Sequence, residues 1–349
     1  MSRVEWVAPV YTPKQVDHAG RILAETSTSA DAYLEALRVV DNWRASHSFP
    51  LNTFQVGLRR RARQIDDHAI VAQRLKRLSS IAFKLMRYPE MPLSRMQDIG
   101  GCRAVVRSVT NVRELHKTFL QSNLKHKLVR TKDYIAEPKA SGYRSLHLIY
   151  RYFSDKKPTY NKLQAEIQIR TQLQHAWATA VETVGTFLDQ SLKSSQGSGE
   201  WLTFFSLMGS AFALRERMPI VPGTPGDRQT LLAEIRKLSK QLSVRSTLTN
   251  YQRAVQTEIL PSLREAAYFL LTLRPAEGSV VVTSFARADL DRANEQYLET
   301  ERQIQNEPGS QAVLVAAESI ESLLKAYPNY FLDTTVFLNE LSGLLKSSP

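Results

Sequence analysis

The chain has 349 residues, of which 43% are hydrophobic and 23% charged, a composition typical of ordinary globular proteins. No apolar run approaches the roughly 18 residues of a membrane span, and the first residues lack a secretory signal core, so we expect a cytoplasmic protein without a membrane partner. One cysteine excludes a disulfide framework, whereas the net charge of +12 indicates either a polyanionic partner or a generally basic surface.

Helical spacing of apolar residues predicts two N-terminal helices between Lys14 and Arg44, with a junction near Thr26 to Ser29. The same spacing predicts one long helical tract from Asn52 to Ile81. Four arginines cluster near its start: Arg59, Arg60, Arg61 and Arg63. The residue types fit an RNA-backbone contact and a solvated helix face equally well.

Strands and helices alternate in the next stretch. Strands are predicted at Cys102 to Val106, Lys127 to Ile135, Leu146 to Phe153 and Leu163 to Thr171, and helices at Asn111 to Ser122 and Gln172 to Leu192. In the last strand, the period of two places Glu166, Gln168 and Arg170 on one face. A half-solvated strand is the simpler interpretation, and a carboxylate pointing into a cleft is the functional one.

The stretch from Asp133 to Thr171 contains the words DYI, PK, SGYRSLH and EIQIRT in that order. It resembles the synthetase signature of the RelA/SpoT family, whose members transfer a pyrophosphate group from ATP to a ribose 3′-hydroxyl. Two upstream segments, Arg74 to Leu85 and Pro92 to Ser108, match further elements of that family. The resemblance implies an α+β fold: a nucleotidyltransferase-like mixed β-sheet flanked by helices.

The resemblance also implies roles for individual residues. Asp98 and Glu166 would hold Mg²⁺, and Glu166 would take the proton from the attacking hydroxyl. Without the resemblance, Asp98 would be a turn aspartate that caps backbone amides. Residues implied for ATP binding are Arg74, Lys76, Ser80, Lys84, Arg95 and Arg103. Residues implied for acceptor binding are Tyr143, Lys139, Arg144, His147, Gln168, Arg170 and His175, with the Tyr143 ring stacked on the acceptor base.

Three functions remain open. One acceptor is the 3′-terminal adenosine of tRNA, whose modification would arrest translation, and another is GDP or GTP, which would give (p)ppGpp. A catalytically inactive, RNA-binding regulatory module is the third interpretation. The basic charge, the arginine cluster and the C-terminal half favour tRNA, and the presence of Asp98, Tyr143 and Glu166 argues against an inactive module.

Breaks in composition predict three parts: a RelA/SpoT-like pyrophosphokinase domain at 1–193, a helical connector at 194–230 and a C-terminal α+β domain at 231–349. Predicted helices of the last part are Leu231 to Leu248, Tyr251 to Ala266, Asp289 to Gln305 and Ile320 to Leu345, and predicted strands are Tyr268 to Arg274, Ser279 to Ala286 and Ala312 to Ala317.

This layout resembles the CapRel type of fused toxin–antitoxin protein in anti-phage defence, in which an inhibitory domain follows a RelA/SpoT-like toxin. Tyr327 and Tyr330 form a YxxY pair like the one that covers the donor-nucleotide site in that family. The resemblance implies that this pair is autoinhibitory and that a phage protein is the trigger. From the residues alone, two tyrosines three apart indicate the core and rim of a helix.

Overall fold

A computed structural model describes residues 6–25, 28–191, 198–260 and 266–346. The helices are α1 (Pro13–Ala24), α2 (Ala30–Ser46), α3 (Ser48–Ile65), α4 (Leu78–Arg87), α5 (Val109–Leu120), α6 (Gln172–Ser191), α7 (Ser198–Arg215), α8 (Arg228–Gln241), α9 (Val244–Arg253), α10 (Leu290–Gln303), α11 (Ile320–Ala326) and α12 (Thr335–Lys346). The strands are β1 (Ile70–Leu75), β2 (Gly100–Val106), β3 (Lys127–Asp133), β4 (Leu146–Arg151), β5 (Gln164–Thr171), β6 (Gln256–Ile259), β7 (Ala266–Arg274), β8 (Ser279–Ala286) and β9 (Gln311–Ala316).

These strands form one 9-stranded sheet in the order β3-β4-β5-β2-β1-β9-β7-β8-β6. The pairs β2–β5 and β6–β8 are parallel, and the other neighbours are antiparallel. Helices such as α3 and α5 pack against the sheet. The predicted α+β fold with a mixed sheet flanked by helices is therefore confirmed.

The long helix predicted from Asn52 to Ile81 is wrong. Helix α3 ends at Ile65, where Asp66 accepts a hydrogen bond from the backbone N–H of His68 and closes a turn. The chain then forms β1, which lies between β2 and β9. A short apolar run in the middle of a sheet has no clear alternation, so its spacing fits a helix as well as a strand.

Three predictions in the C-terminal half are also wrong. The helix predicted from Leu231 to Leu248 is divided into α8 and α9 at Ser243, whose φ of +48° lies in the left-handed region. The helix predicted from Tyr251 to Ala266 ends at Arg253 and is followed by β6. The helix predicted from Ile320 to Leu345 is divided into α11 and α12 by residues 327–334, which we call the tyrosine turn. Tyr327 precedes Pro328, and the proline ring disfavours helical geometry in the residue before it.

The C-terminal region, defined here as residues 228–346, joins the same sheet as the N-terminal half. Gln73 and Arg74 of β1 pair with Ala316 and Val315 of β9. Helix α7 of the predicted connector packs against both α6 and α8, with Phe204 in their shared core. The domain boundaries at 193 and 230 stay predictions. Of the helices in the described ranges, none has the length and apolar character to cross a bilayer.

Candidate active site

A cavity of about 130 Å³ lies where β5, β2 and β1 are adjacent. It is lined by Arg74, Lys76, Asp98, Gly101, Cys102, Arg103, Glu166, Gln168 and Tyr327. Gly101 of β2 pairs with Arg74 on one side and with Glu166 on the other, and directly opposed residues share a face of the sheet. A Cβ at Gly101 would meet only the Glu166 carbonyl oxygen, at 4.0 Å. The absence of a side chain on β2 at this position therefore leaves open space between Arg74 and Glu166.

Asp98 lies in the turn before β2 and holds two lysines. Its Oδ2 accepts a hydrogen bond from Lys76 Nζ at 2.9 Å, and its Oδ1 accepts one from Lys84 Nζ at 2.8 Å. Burial alone would raise the pKa of Asp98, but the two ammonium groups have the larger combined effect and lower the pKa to about 2. Asp98 is therefore ionised at neutral pH and gathers two cations at the cavity.

Glu166 is held by a chain of polar side chains. Its Oε1 is 2.8 Å from Nδ1 of His147, and its Oε2 accepts from Nε2 of Gln168 at 2.7 Å. The hydroxyl of Tyr143 lies 2.8 Å from the other ring nitrogen of His147. Burial raises the pKa of Glu166, but the hydrogen bonds from His147 and Gln168 and the attraction of His147 outweigh it, so the net shift is downward.

The polar face of β5 is buried and not solvated. Glu166 is 8% exposed and Arg170 is 2% exposed, while Ile167 and Ile169 on the opposite face are fully buried. The alternation of the sequence is confirmed, but the half-solvated interpretation is wrong because α6 and the tyrosine turn supply a second layer over this face.

The tyrosine turn contacts two of the predicted ATP-binding residues. Arg74 Nη1 donates to the hydroxyl of Tyr330 at 3.3 Å. The guanidinium of Arg103 lies 5.9 Å from the centroid of the Tyr327 ring, and its Nη1 donates to the Ala326 carbonyl at 3.5 Å. Tyr327 and Tyr330 are 3% and 0% exposed, so both belong to the core, and neither lies on a helix as their spacing had indicated.

The other predicted ATP-binding residues divide into two groups. Lys76 and Lys84 meet at Asp98, as described above. Ser80 is half-buried on α4, Arg95 is exposed in a short 3-10 turn, and neither lines the cavity. The structure therefore brings together four of these six residues: Arg74, Lys76, Lys84 and Arg103.

On the acceptor side, Gly142 fixes the shape of the loop that carries Tyr143. Its φ is +91°, and a Cβ there would lie 2.8 Å from the Phe205 carbonyl oxygen and from the Trp177 ring. Only glycine fits without displacement of these groups. Lys139 Nζ lies 5.3 Å from the ring centroid of Tyr143, so the loop presents a cation beside an aromatic ring.

Arg144 does not reach the cavity. It is buried and forms an ion pair with Glu216 at the end of α7, with Nη2 2.8 Å from Oε2. Its predicted acceptor role therefore has no support in its position, and its contact indicates that it anchors α7 beneath the loop.

Arg170 and His175 form a buried layer behind the cavity. Burial lowers the pKa of Arg170, and repulsion from the nearby positive charge of Arg103 lowers it as well, to about 9. Burial also lowers the pKa of His175, whose Nε2 lies 3.1 Å from the Lys325 carbonyl oxygen. Within the described residues, the Nε atoms of Arg103 and Arg170 are buried without a hydrogen-bond partner. Unpaired buried cationic donors fit an anionic ligand.

The arginine cluster of α3 does not form one surface. Arg59 and Arg63 pair with Glu318 of the C-terminal region, the former at 3.4 Å. The Arg61 guanidinium lies 5.0 Å from the centroid of the Phe119 ring. Arg60 is exposed. RNA binding by this cluster stays a prediction, and its members have different local partners.

The donor set is compatible with magnesium. Asp98 and Glu166 line one cavity, and the lowered pKa of each keeps its oxygens ionised. Mg²⁺ commonly takes one or two protein carboxylates and completes its shell with phosphate and water oxygens. Among the described residues no group of three or more His, Cys, Asp and Glu could hold a metal, so such an ion would depend on the substrate for further ligands.

One site residue was missed by the sequence interpretation. The ring of Tyr134 lies 4.3 Å from Lys139 Nζ and 5.3 Å from the His147 ring. Tyr134 is the second residue of the word DYI, so the resemblance already pointed to this position. Tyr134 follows β3 and His147 lies on β4, and the antiparallel pairing of these two strands brings the rings together.

Comparison with known proteins shows what the region around this site is similar to. Residues 73–185 match the family model described as the region found in RelA / SpoT proteins. The chain is 37% identical over 119 residues to GTP pyrophosphokinase YjbM of Bacillus subtilis (strain 168), covering 33% of this chain and 56% of that protein. It is 36% identical over 117 residues to GTP pyrophosphokinase YwaC of the same organism, covering 30% and 52%. The chain thus spans about half the length of the curated relatives it matches.

Solved structures are similar over about half of the chain. A GTP pyrophosphokinase family protein from Streptococcus pneumoniae aligns with a TM-score of 0.39 and 26% identity, covering 48% of this chain and 84% of that one. The small alarmone synthetase 2 from Bacillus subtilis aligns with a TM-score of 0.42 and 24% identity, covering 50% and 93%. The matched family region, 73–185, carries both ionised carboxylates, the Gly142 loop and β5. Around its cavity, this chain is therefore similar to the region found in RelA / SpoT proteins.

Proposed function

We propose that this chain is a pyrophosphokinase that transfers the β,γ-pyrophosphate of ATP to the 3′-hydroxyl of a guanine nucleotide, GDP or GTP. The observation that carries the proposal is one cavity lined by two ionised carboxylates, Asp98 and Glu166, and by cations such as Arg74, Lys76 and Arg103. The names of the two curated relatives, both GTP pyrophosphokinases, support this acceptor over tRNA.

The cations would neutralise the triphosphate while its bond breaks. Lys76 and Lys84 are already ordered by Asp98, so they can exchange a carboxylate oxygen for a phosphate oxygen with little rearrangement. Arg103 and Arg170 have buried Nε donors without partners within the described residues, which a phosphate would satisfy. Mg²⁺, when bound at Asp98 and Glu166, would polarise the transferred phosphoryl group.

Glu166 would accept the proton of the attacking hydroxyl. Its lowered pKa keeps it unprotonated at neutral pH, and His147 holds its Oε1 in a fixed direction. The ring of Tyr143 would stack on the acceptor base, and base stacking on an aromatic ring contributes about 1–3 kcal/mol. Lys139, beside that ring, would bind acceptor phosphate. Positioning and charge suffice for phosphoryl transfer because the protein does little covalent chemistry.

The test is the fate of γ-labelled ATP incubated with Mg²⁺ and either GDP, GTP or bulk tRNA. We expect label in a guanosine nucleotide carrying an added pyrophosphate, and none when Glu166→Gln protein is used. Label in tRNA alone would reject the guanine-nucleotide acceptor but keep the pyrophosphokinase. Absence of label in all acceptors, with folded protein and also with its Tyr330→Phe variant, would reject the transfer itself.

The second candidate acceptor is tRNA, favoured by the net charge of +12. Arg60 gives the cleanest test because it is exposed, whereas Arg59 and Arg61 already have partners within the protein. If tRNA binds α3, Arg60→Glu should weaken tRNA binding and flatten its salt dependence, since each phosphate contact releases counterions. If the affinity for tRNA and its salt dependence were both unchanged, Arg60 would be a solvated residue that does not contact tRNA.

We also propose that the tyrosine turn inhibits the enzyme in cis. Its support is the contact of Tyr330 with Arg74 and of Tyr327 with Arg103, two residues proposed to bind ATP. In this arrangement the turn lies on the surface that the triphosphate would use. A toxin role in anti-phage defence, with a phage protein that displaces this turn, remains the prediction made from the CapRel resemblance.

A further inference from the structure

The first turn of α4 is held by a residue of the C-terminal region. The backbone N–H of Leu78 donates to Oε1 of Glu301 on α10 at 3.0 Å, across 223 positions of sequence. The residue that precedes α4, Arg77, makes no side-chain cap. Because the first N–H groups of a helix have no acceptor within it, a carboxylate at this end both satisfies a donor and complements the helix dipole.

The same carboxylate is fixed by a buried arginine. Arg44 of α2 is 1% exposed, and its Nη2 lies 2.9 Å from Glu301 Oε2. Its Nε donates to the carbonyl oxygen of Lys76 at 3.1 Å, and its Nη2 donates to the hydroxyl of Tyr297 at 2.6 Å. That hydroxyl in turn donates to Glu301 Oε1 at 2.9 Å. The segment from Lys76 to the start of α4 is therefore bound at both ends: Arg44 contacts the Lys76 carbonyl oxygen, and Glu301 contacts the Leu78 N–H.

This segment and α4 itself carry two cations of the proposed ATP site. Lys76 and Lys84 meet at Asp98, and both belong to the loop and helix that Arg44 and Glu301 hold. Their ammonium groups can converge on one carboxylate only if α4 keeps its position relative to β1. That position depends on a contact from α10, which the family region at 73–185 does not contain.

We propose that Glu301 is a positioning residue for the donor nucleotide, so that the C-terminal region is a permanent part of the ATP site as well as its cover. The proposal rests on the proposed function for its ATP readout. A second element of the C-terminal region, β9, also contacts this site, because its Val315 pairs with Arg74 of β1. Admission of ATP then requires displacement of the tyrosine turn, while α10 and β9 stay in place.

The experiment compares the full-length chain with Glu301→Ala, Glu301→Gln and Glu318→Ala. Glu318→Ala is the matched control because Glu318 also ties the C-terminal region to the N-terminal half, through Arg59, but does not line the cavity. Two quantities are measured below the melting transition: hydrogen exchange of the α4 amides and the dissociation constant for ATP.

We expect Glu301→Ala to accelerate exchange in the first turn of α4 and to weaken ATP binding, each by about tenfold, the scale of a lost helix cap. Glu301→Gln keeps an acceptor oxygen for the Leu78 N–H and should recover most of both values. Glu318→Ala should leave both unchanged.

Unchanged α4 exchange in Glu301→Ala would overturn the proposal, as would faster exchange with unaltered ATP affinity. Equal effects of Glu318→Ala would also overturn it, because they would show general loosening of the C-terminal region. If neither the unchanged chain nor its Tyr330→Phe variant binds ATP, the proposed function fails, and α4 exchange alone then decides whether Glu301 anchors this helix.

Discussion

At the scale of single residues, the buried carboxylates differ from what their sequence positions indicated. A residue on the polar face of a strand is expected to tolerate an isosteric change with little loss of stability. Glu166 is instead buried and accepts hydrogen bonds from His147 and Gln168. Its substitution therefore affects stability as well as chemistry, and a control with matched burial is needed.

Glu166→Gln should reduce transfer by at least about 100-fold, because a proton acceptor is lost. It should also lower the free energy of unfolding by about 1.5–3 kcal/mol, the range for a hydrogen bond to a charged group. Glu216→Gln is the control: the side chain of Glu216 is only 7% exposed and pairs with Arg144 away from the cavity. Labelled-ATP transfer and urea unfolding measure both effects. Equal loss of transfer in the two variants would contradict a catalytic role for Glu166.

Asp98 should make stability depend on pH in the acid range. Its pKa falls from 3.8 to about 2 on folding, so its contribution is present above pH 3.8 and is lost as the pH falls through about 2. Asp98→Asn should therefore lower the free energy of unfolding by about 2 kcal/mol at neutral pH. Urea unfolding from pH 7 to pH 2 should show the two proteins converging. A difference that stays constant with pH would mean that Lys76 and Lys84 do not stabilise the ionised form.

At the scale of elements, the tyrosine turn combines packing with a polar contact. Tyr327 and Tyr330 are both buried, and truncation of a buried aromatic side chain to alanine costs about 3–5 kcal/mol. A double alanine variant would therefore disturb the fold of the turn itself. Substitution by phenylalanine keeps the ring and removes only the hydroxyl.

Tyr330→Phe should raise ATP affinity and basal transfer several-fold, up to about tenfold, because it removes the hydrogen bond that Arg74 donates to the turn. Tyr268→Phe, at a buried tyrosine of β7 outside the cavity, is the control. Transfer assays with both proteins at equal concentration test this. Basal transfer equal to that of the unchanged chain would mean that the Tyr330 hydroxyl does not restrain the enzyme.

At the scale of the whole molecule, the sheet makes the two halves of the chain interdependent. Removal of residues 228–349 would expose the β1 edge that pairs with β9. It would also expose α7 side chains such as Phe204 and Phe212, which share a core with Leu232 and Phe337. Free strand edges and large apolar patches promote association of chains.

The fragment 1–227 should therefore melt at a lower temperature than the full chain and elute as aggregates. Each buried apolar side chain that becomes exposed costs about 1.5–3 kcal/mol, and several do so together. Calorimetry and size-exclusion chromatography are the measurements. A monomeric fragment with the melting temperature of the full chain would show that the halves fold independently. In that case, activity of the fragment would report directly on inhibition by the C-terminal region.

Elements whose pattern is local follow from the amino-acid sequence alone. The period of two in β5 and the SGYRSLH word with its Gly142 could be predicted, because alternation and loop chemistry act over a few residues. Family words likewise identified Asp98 and Glu166, which line the same cavity.

The partner of each side chain, in contrast, depends on the three-dimensional fold. Arg144 lies inside a family word but pairs with Glu216, and Arg74 lies on a strand and not on a helix because β2 and β9 flank it. Burial of the polar face of β5 and the contact of Glu301 with α4 both join residues far apart in the chain. Local periodicity contains no information about such partners, since an apolar or charged residue satisfies the same pattern whichever distant group it meets.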